Sequence, residues 1–244
     1  MNRSHRWTPA LLCMVMLAMT SVASRAETRI GVASSIKPNA DGLVGAGSQS
    51  LSAGSEVFAN ETVRTGNLGQ ADLVFLDKTN LTVGPTSEVL LDKFVYDPSG
   101  PKGKVVLQLT RGAFRFVTGN QDHSAYAVNT PHGSLGVRGT TVEVVVSDKK
   151  KPRPDECVTR VRLDEGAGAS FTAGGKEHRL TDKNQTLCIA ANGTVTYGSS
   201  STSILGFQVA ADTPPPSPGG STPPPGTGPP TIPPIQPCVT QCGP

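Results

Sequence analysis

The side chains able to do chemistry are few and poorly spaced for it. Beyond residue 26 the histidines are His123, His132 and His178. They form no His-Glu-x-x-His run and no pair at metal-ligand spacing. Asp122-His123 together with His132 could hold a metal between loops, but such residues are more often solvated turn positions. Asp164-Glu165 precede Gly166 at what reads as a strand end. Neighbours on a strand face opposite sides, so these two cannot serve as a paired acid and base. A Gly-x-Ser-x-Gly nucleophile elbow and a phosphate loop are both missing. The expectation is a protein with no catalytic residues, no metal and no cofactor.

Cysteine is the remaining reactive type. Cys13 lies in the leader described below, which leaves Cys157, Cys188, Cys238 and Cys242. An even number in an exported chain suggests two disulfides, although four cysteines allow three connectivities. The favoured pairing is Cys157–Cys188 within the folded part and Cys238–Cys242 near the C-terminus. The first closes a loop worth about 3–4 kcal/mol in the chain-entropy model. Zinc fits poorly, because Cys238 and Cys242 lie beyond a linker from the other pair and no histidine is near them.

Export is read from the first residues. Arg3, His5 and Arg6 make a basic start, Ala10 to Val22 is apolar, and Ser24-Arg25-Ala26 puts small residues where a signal peptidase reads them. This is the layout of a signal peptide over residues 1–26, with cleavage expected after Ala26. The apolar run is short of the ~20 residues a spanning helix needs, and no second run follows. The mature chain is thus expected to be extracytoplasmic, in the periplasm or at the cell surface, with no transmembrane span. The net charge of +3 is owed to Arg3, Arg6 and Arg25. What remains is neutral and has no electrostatic footprint for nucleic acid.

The elements that would position any site are strands. Ala71–Leu76, Lys104–Leu109, Ala113–Val117 and Thr140–Val146 are short, β-branched or aromatic, and bounded by Gly, Asn, Asp or Pro. Turn candidates fall at Asp77–Asn80, Pro98–Gly100, Gly119–Asp122 and Ala191–Gly193. The fold class is all-β, one domain of many short strands over residues 27–211, arranged as a sandwich, barrel, or β-roll or solenoid of rungs. Strands around Val74, Leu107, Val144, Val161 and Ile189 are expected to build the core. Residues 212–244 are rich in Pro, Gly, Ser and Thr. Such a segment cannot bury enough surface to order itself, so it reads as a disordered tail carrying the second cysteine pair.

A run of ordered motifs then points to a family. Gly54-Ser-Glu-Val57, Glu61-Thr-Val-Arg-Thr-Gly66, Ala71–Asp77, Leu81-Thr-Val-Gly84, Ser87–Asp92, Leu107–Gly112, Val128-Asn-Thr-Pro131 and Gly136-Val-Arg-Gly-Thr140 follow one another. In that order and spacing they resemble a FecR domain, best over residues 55–146. The resemblance implies a stand-alone extracytoplasmic binding or signalling module. The family's transmembrane anti-sigma arrangement includes a cytoplasmic segment, and with the apolar run starting near residue 10 that arrangement is not expected here.

The family-motif residues are Thr130, Pro131, Val137, Arg138, Gly139 and Thr140, all expected to be structural. Thr130-Pro131 should make an extended bend, Gly139 a bulge or close approach, and Arg138 should be held on a carboxylate or turn carbonyls, as buried arginines are. Lys149, Lys150, Lys151 and Arg153, broken by Pro152 and Pro154, read as an exposed hairpin tip. Their sharper reading is a contact for anionic lipid or polysaccharide. The expected partner is an envelope protein. The alternative is glycan or peptidoglycan, for which Tyr96, Tyr126 and Tyr197 would have to supply the stacking.

Overall fold

The computed structural model describes residues 27–96 and 103–209. The leader, the Pro98–Gly100 turn and the tail with Cys238 and Cys242 lie outside the described residues. Within them the chain is all-β, with seventeen strands and one 3-10 turn at His123–Ala125.

The strands join into one continuous mixed sheet folded into two layers. One layer runs β4 (Glu56–Phe58), β1 (Arg29–Lys37), β6 (Gln70–Phe75), β7 (Asn80–Val83), β9 (Lys104–Val117), β12 (Thr140–Val146), β13 (Cys157–Gly166), β16 (Gln185–Ala190), β17 (Val195–Ser199). The other runs β3 (Gly47–Leu51), β2 (Ala40–Val44), β5 (Glu61–Thr65), β8 (Glu88–Val95), β9 again, β10 (Tyr126–Thr130), β11 (Gly133–Val137), β14 (Ala169–Ala173), β15 (Lys176–Leu180). All these pairings are antiparallel except β9 with β10. From β10 onward, successive hairpins alternate between the layers, which decides the arrangement that the strand pattern left open.

Strand β9 belongs to both layers, and its sequence shows how. Val105, Leu107 and Leu109 point inward in the first half, Phe114 and Phe116 in the second. The buried positions change from odd to even around Gly112, which has φ +104°. Any Cβ at Gly112 would collide with the Ser87 hydroxyl, whose oxygen accepts a hydrogen bond from Ala113 N at 3.0 Å. Glycine permits the positive φ at little cost and leaves space for this approach. The strand can therefore bend from one layer into the other.

Both layers feed one core. Leu81, Phe114, Val144, Val161 and Leu187 from the first layer join Val63, Leu107, Leu135, Phe171 and Leu180 from the second. Of the expected core positions, Leu107, Val144, Val161 and Ile189 are buried. Val74 is half-buried on the opposite face of β6, whose inward residues are Leu73 and Phe75.

Candidate binding surfaces

The family-motif residues make a turn and a crossover. Thr130 and Gly133 flank the tight Pro131-His132 turn between β10 and β11. The Thr130 hydroxyl donates to Gly133 O at 3.0 Å and accepts from His132 N at 3.2 Å. His132 Nδ1 lies 2.8 Å from Thr159 Oγ1 on β13, tying this turn to the other layer. That contact, and burial that pushes the imidazole below its ordinary value, make His132 a packed residue.

Val137 is buried in the core. Gly139, at φ 57°, lies where the chain leaves β11 for β12 in the opposite layer. The left-handed turn is the change of layer itself, and the bulge falls two residues later, between Thr141 and Val142 in the ladder with β13. Thr140 is buried; its N–H donates to Thr118 Oγ1 at 2.9 Å and its hydroxyl to Glu165 O.

Arg138 differs from expectation. It is exposed, its backbone N–H donates to Gly168 O at 3.2 Å, and its side chain lines a shallow cleft of about 160 Å³ with Ser170, Glu177, Arg179 and Thr181. Glu177 is held below the usual carboxylate range by the hydrogen bond and charge of Arg179, with a smaller contribution from Arg138. The reason is position: Arg138 sits at the crossover, beyond the inward face of β11.

The buried guanidinium is that of Arg162 on β13. Its Nη1 is 3.2 Å from Glu143 Oε2 and 3.0 Å from Asp164 Oδ1, its Nη2 donates to Asn184 Oδ1 at 2.6 Å, and its Nε donates to Ser200 O at 2.9 Å. Asp164 also meets Arg115 at 3.6 Å. These residues form a row across β9, β12 and β13, since Arg115 pairs with Glu143 and Glu143 with Arg162. The segment Ser200–Phe207 covers them. Ile204 N donates to Glu143 Oε2 at 2.9 Å, Leu205 is buried, and the Phe207 ring fills the space above Gly84. A sequence signal existed, because Glu143 and Arg162 are charged residues inside Val-rich strands. What covers them could not be read.

A second buried polar group, Asp77, is equally committed. Its carboxylate accepts from Thr79 N (2.9 Å), Thr79 Oγ1 (2.8 Å), Gln121 Nε2 (2.9 Å) and the Tyr126 hydroxyl (3.0 Å). Tyr126 is thereby buried, in edge contact with Phe116, so it offers no face to a sugar. Tyr197 is half-exposed and its hydroxyl lies 3.1 Å from His178 Nδ1, joining β17 to β15.

Lys149, Lys150, Lys151 and Arg153 are exposed on the connection between β12 and β13. Lys149 pairs with Glu156, and the loop is fastened to the β16–β17 turn by Ala191 N to Glu156 O and Asn192 N to Pro154 O, each 3.0 Å. At its base Cys157 and Cys188 are joined as a disulfide with Cα atoms 5.7 Å apart. No group of three or more His, Cys, Asp or Glu among the described residues is placed to hold a metal ion, and Asp122 accepts a hydrogen bond from Ser124 N at 2.8 Å.

Residues 61–167 match the family model described as FecR protein. The match opens at the first residue of β5 and closes one residue after β13. It thus starts later than the expected Ser55 and runs past Val146 to include Arg162 and Asp164. Two crystal structures of a candidate anti-sigma factor from Parabacteroides distasonis ATCC 8503, at 1.65 Å and 2.50 Å resolution, resemble the chain at 11% identity with TM-scores of 0.44 and 0.45. The similarity covers 57% of this chain and 59% of theirs. No curated protein matches. The chain carries a FecR domain, formed by residues 61–167 and flanked on both sides by strands of the same two-layer sheet.

Proposed function

We propose that this protein is an extracytoplasmic FecR-like module that binds another protein of the bacterial envelope and acts in signalling without catalysing a reaction. The FecR domain over residues 61–167 carries this reading. The buried acid and base groups support it, because Asp77, Glu143 and Arg162 are engaged with one another, with strand turns and with the covering segment. Groups held this way stabilise a scaffold and are not presented to a substrate. Among the described residues, the exposed Lys149–Arg153 loop and the Arg138 cleft offer surface for recognition.

The test is crosslinking in living cells followed by affinity recovery, comparing the full chain with one lacking residues 212–244 and one with the four basic loop residues changed to Ser. A specific envelope protein recovered with the full chain and reduced in either variant supports the proposal. Recovery of the same background from all three would overturn it. Sedimentation with purified peptidoglycan distinguishes the wall-polymer alternative, which predicts binding that needs no protein partner.

A further inference from the structure

Glu61 is fully buried at the start of β5, and only half of its carboxylate is used. Oε2 accepts a hydrogen bond from Phe58 N at 2.7 Å. Oε1 has no hydrogen-bond partner, and it presses on Gly42 so closely that any Cβ there would collide with it. An unpaired buried carboxylate oxygen costs free energy unless a donor reaches it. Gly42 and Phe58 are also two walls of a cavity of about 350 Å³, together with Glu27, Val44, Ser48 and Gln49.

The start of the described chain is fastened to this spot. Thr28 O accepts from Ala59 N at 2.9 Å, and Arg29 pairs with Phe58 in the β1–β4 ladder. Glu27 is therefore held beside the Phe58–Glu61 turn, close enough for its charge to act on Glu61. Burial raises Glu61 above the usual carboxylate value, the Phe58 amide offsets part of this, and the negative charge of Glu27 raises it further. Behind the Gly42 and Phe58 walls lies the unpartnered Glu61 Oε1, the lining itself carries the negative charge of Glu27, and none of the lining residues is a cation.

We propose that the α-ammonium group created at Glu27 by cleavage after Ala26 is the partner of Glu61, so that processing completes this end of the fold. The proposal rests on the extracytoplasmic reading above. A signal peptidase hydrolyses the Ala26–Glu27 amide with one water; the carbonyl carbon of Ala26 becomes a carboxylate and the nitrogen of Glu27 an amine. An α-amine has a pKa of about 7.7–8.0 and is mainly protonated at neutral pH. The uncut chain has a neutral amide with one N–H at the same atom. The cut chain has three donors and a positive charge, which supplies Glu61 Oε1 and relieves the repulsion from the Glu27 side chain. Gly42 is needed because a larger residue would displace the Glu61 carboxylate.

The test compares three chains released from a fusion partner: one beginning at Glu27 with a free amine, the same chain N-acetylated, and one with Gly-Ser ahead of Glu27. Each is also made as Glu61→Gln. The free-amine chain is expected to melt about 3–6 °C above the other two, and Glu61→Gln to remove the difference. Equal melting of all three, or a gap that persists in Glu61→Gln, overturns the proposal. Should Glu61→Gln fail to fold, the pH dependence of acylation of the Glu27 amine reads the pair directly. An amine titrating above the ordinary α-amino range supports it, and an ordinary value overturns it. The N-terminal mass of the exported protein tests the cleavage site separately, since the three chains do not depend on where the cell cuts.

Discussion

Glu143 on β12 and Arg162 on β13 stand opposite each other across the ladder, with Oε2 and Nη1 3.2 Å apart and side chains 4% and 5% exposed. Each lies between two residues buried in the core, Val142 and Val144 for the acid, Val161 and Leu163 for the base. Strand alternation therefore turns both away from the core, and the segment Ser200–Phe207 keeps them dry by donating Ile204 N to the carboxylate and accepting from the guanidinium through Ser200 O.

Arg162→Met should be strongly destabilising, by about 3–5 kcal/mol, because it leaves Glu143 buried without its cation. Adding Glu143→Leu should restore much of the loss, since an apolar pair of similar volume replaces a desolvated ion pair at little net cost. Urea unfolding of both single variants and the double variant measures the coupling. Additive losses would mean that the two side chains act independently.

Removing the Cys157–Cys188 link by a double change to Ser should cost about 3–4 kcal/mol, chiefly by freeing the unfolded chain. The variant is expected to lose protection in β16 and in the loop fastened to it. Alkylation of the native protein with mass detection should label neither cysteine before reduction and both after it. Labelling without reductant would contradict the link.

Tyr126→Phe removes one of four donors from Asp77 and the acceptor for Gln121 N. The expected loss is about 1–3 kcal/mol, because the buried groups lose partners while the ring packing on Phe116 survives. Calorimetry of the variant checks this. Burial is also the main reason that the phenol titrates above its ordinary value of 10.0, so the phenolate absorbance that Tyr126→Phe removes should develop above that pH while the chain is folded.

His132 gives the fold a pH dependence of known sign. Burial lowers its pKa below the ordinary histidine value of 6.5. The unfolded chain therefore takes up the proton first as pH falls. The stability contributed by neutral His132 is complete above the unfolded value and is lost as pH falls through 6.5 towards the lower folded value. Urea midpoints at about pH 5.5 and 7.5 should differ more in the natural protein than in His132→Asn. Equal differences would show that the imidazole is not desolvated.

Much of the architecture was legible because it is local. Alternation in Ala71–Leu76 and Thr140–Val146, with turn residues between such runs, predicts strands whatever surrounds them, and β6 and β12 are found there. The motif order around Val137-Arg-Gly-Thr140 pointed to the FecR domain for the same reason. The strand around Val74 does build the core, through Leu73 and Phe75, but a run in which Val74 and both its neighbours are apolar carries no phase of its own to show which face is inward.

The candidate site was legible only in part. Arg138 drew attention as the arginine of the Gly136-Val-Arg-Gly-Thr140 motif, yet it is exposed at a crossover, and Arg162 holds the buried position. Glu61 was legible only as the first residue of a family motif and its burial was not, since one acid near a turn looks like any other until Gly42 and Phe58 close over it.

The sequence by itself determined the all-β class, the FecR resemblance and the reading of an exported chain, since each rests on residue types at short fixed spacing. Only the tertiary structure decided that β9 bends from one layer into the other at Gly112, that Ser200–Phe207 covers Glu143 and Arg162, and that one oxygen of Glu61 lacks a partner. Those facts depend on which surfaces meet across dozens of residues, and burial makes the same side chain a solvated charge in one place and a structural ion pair in another.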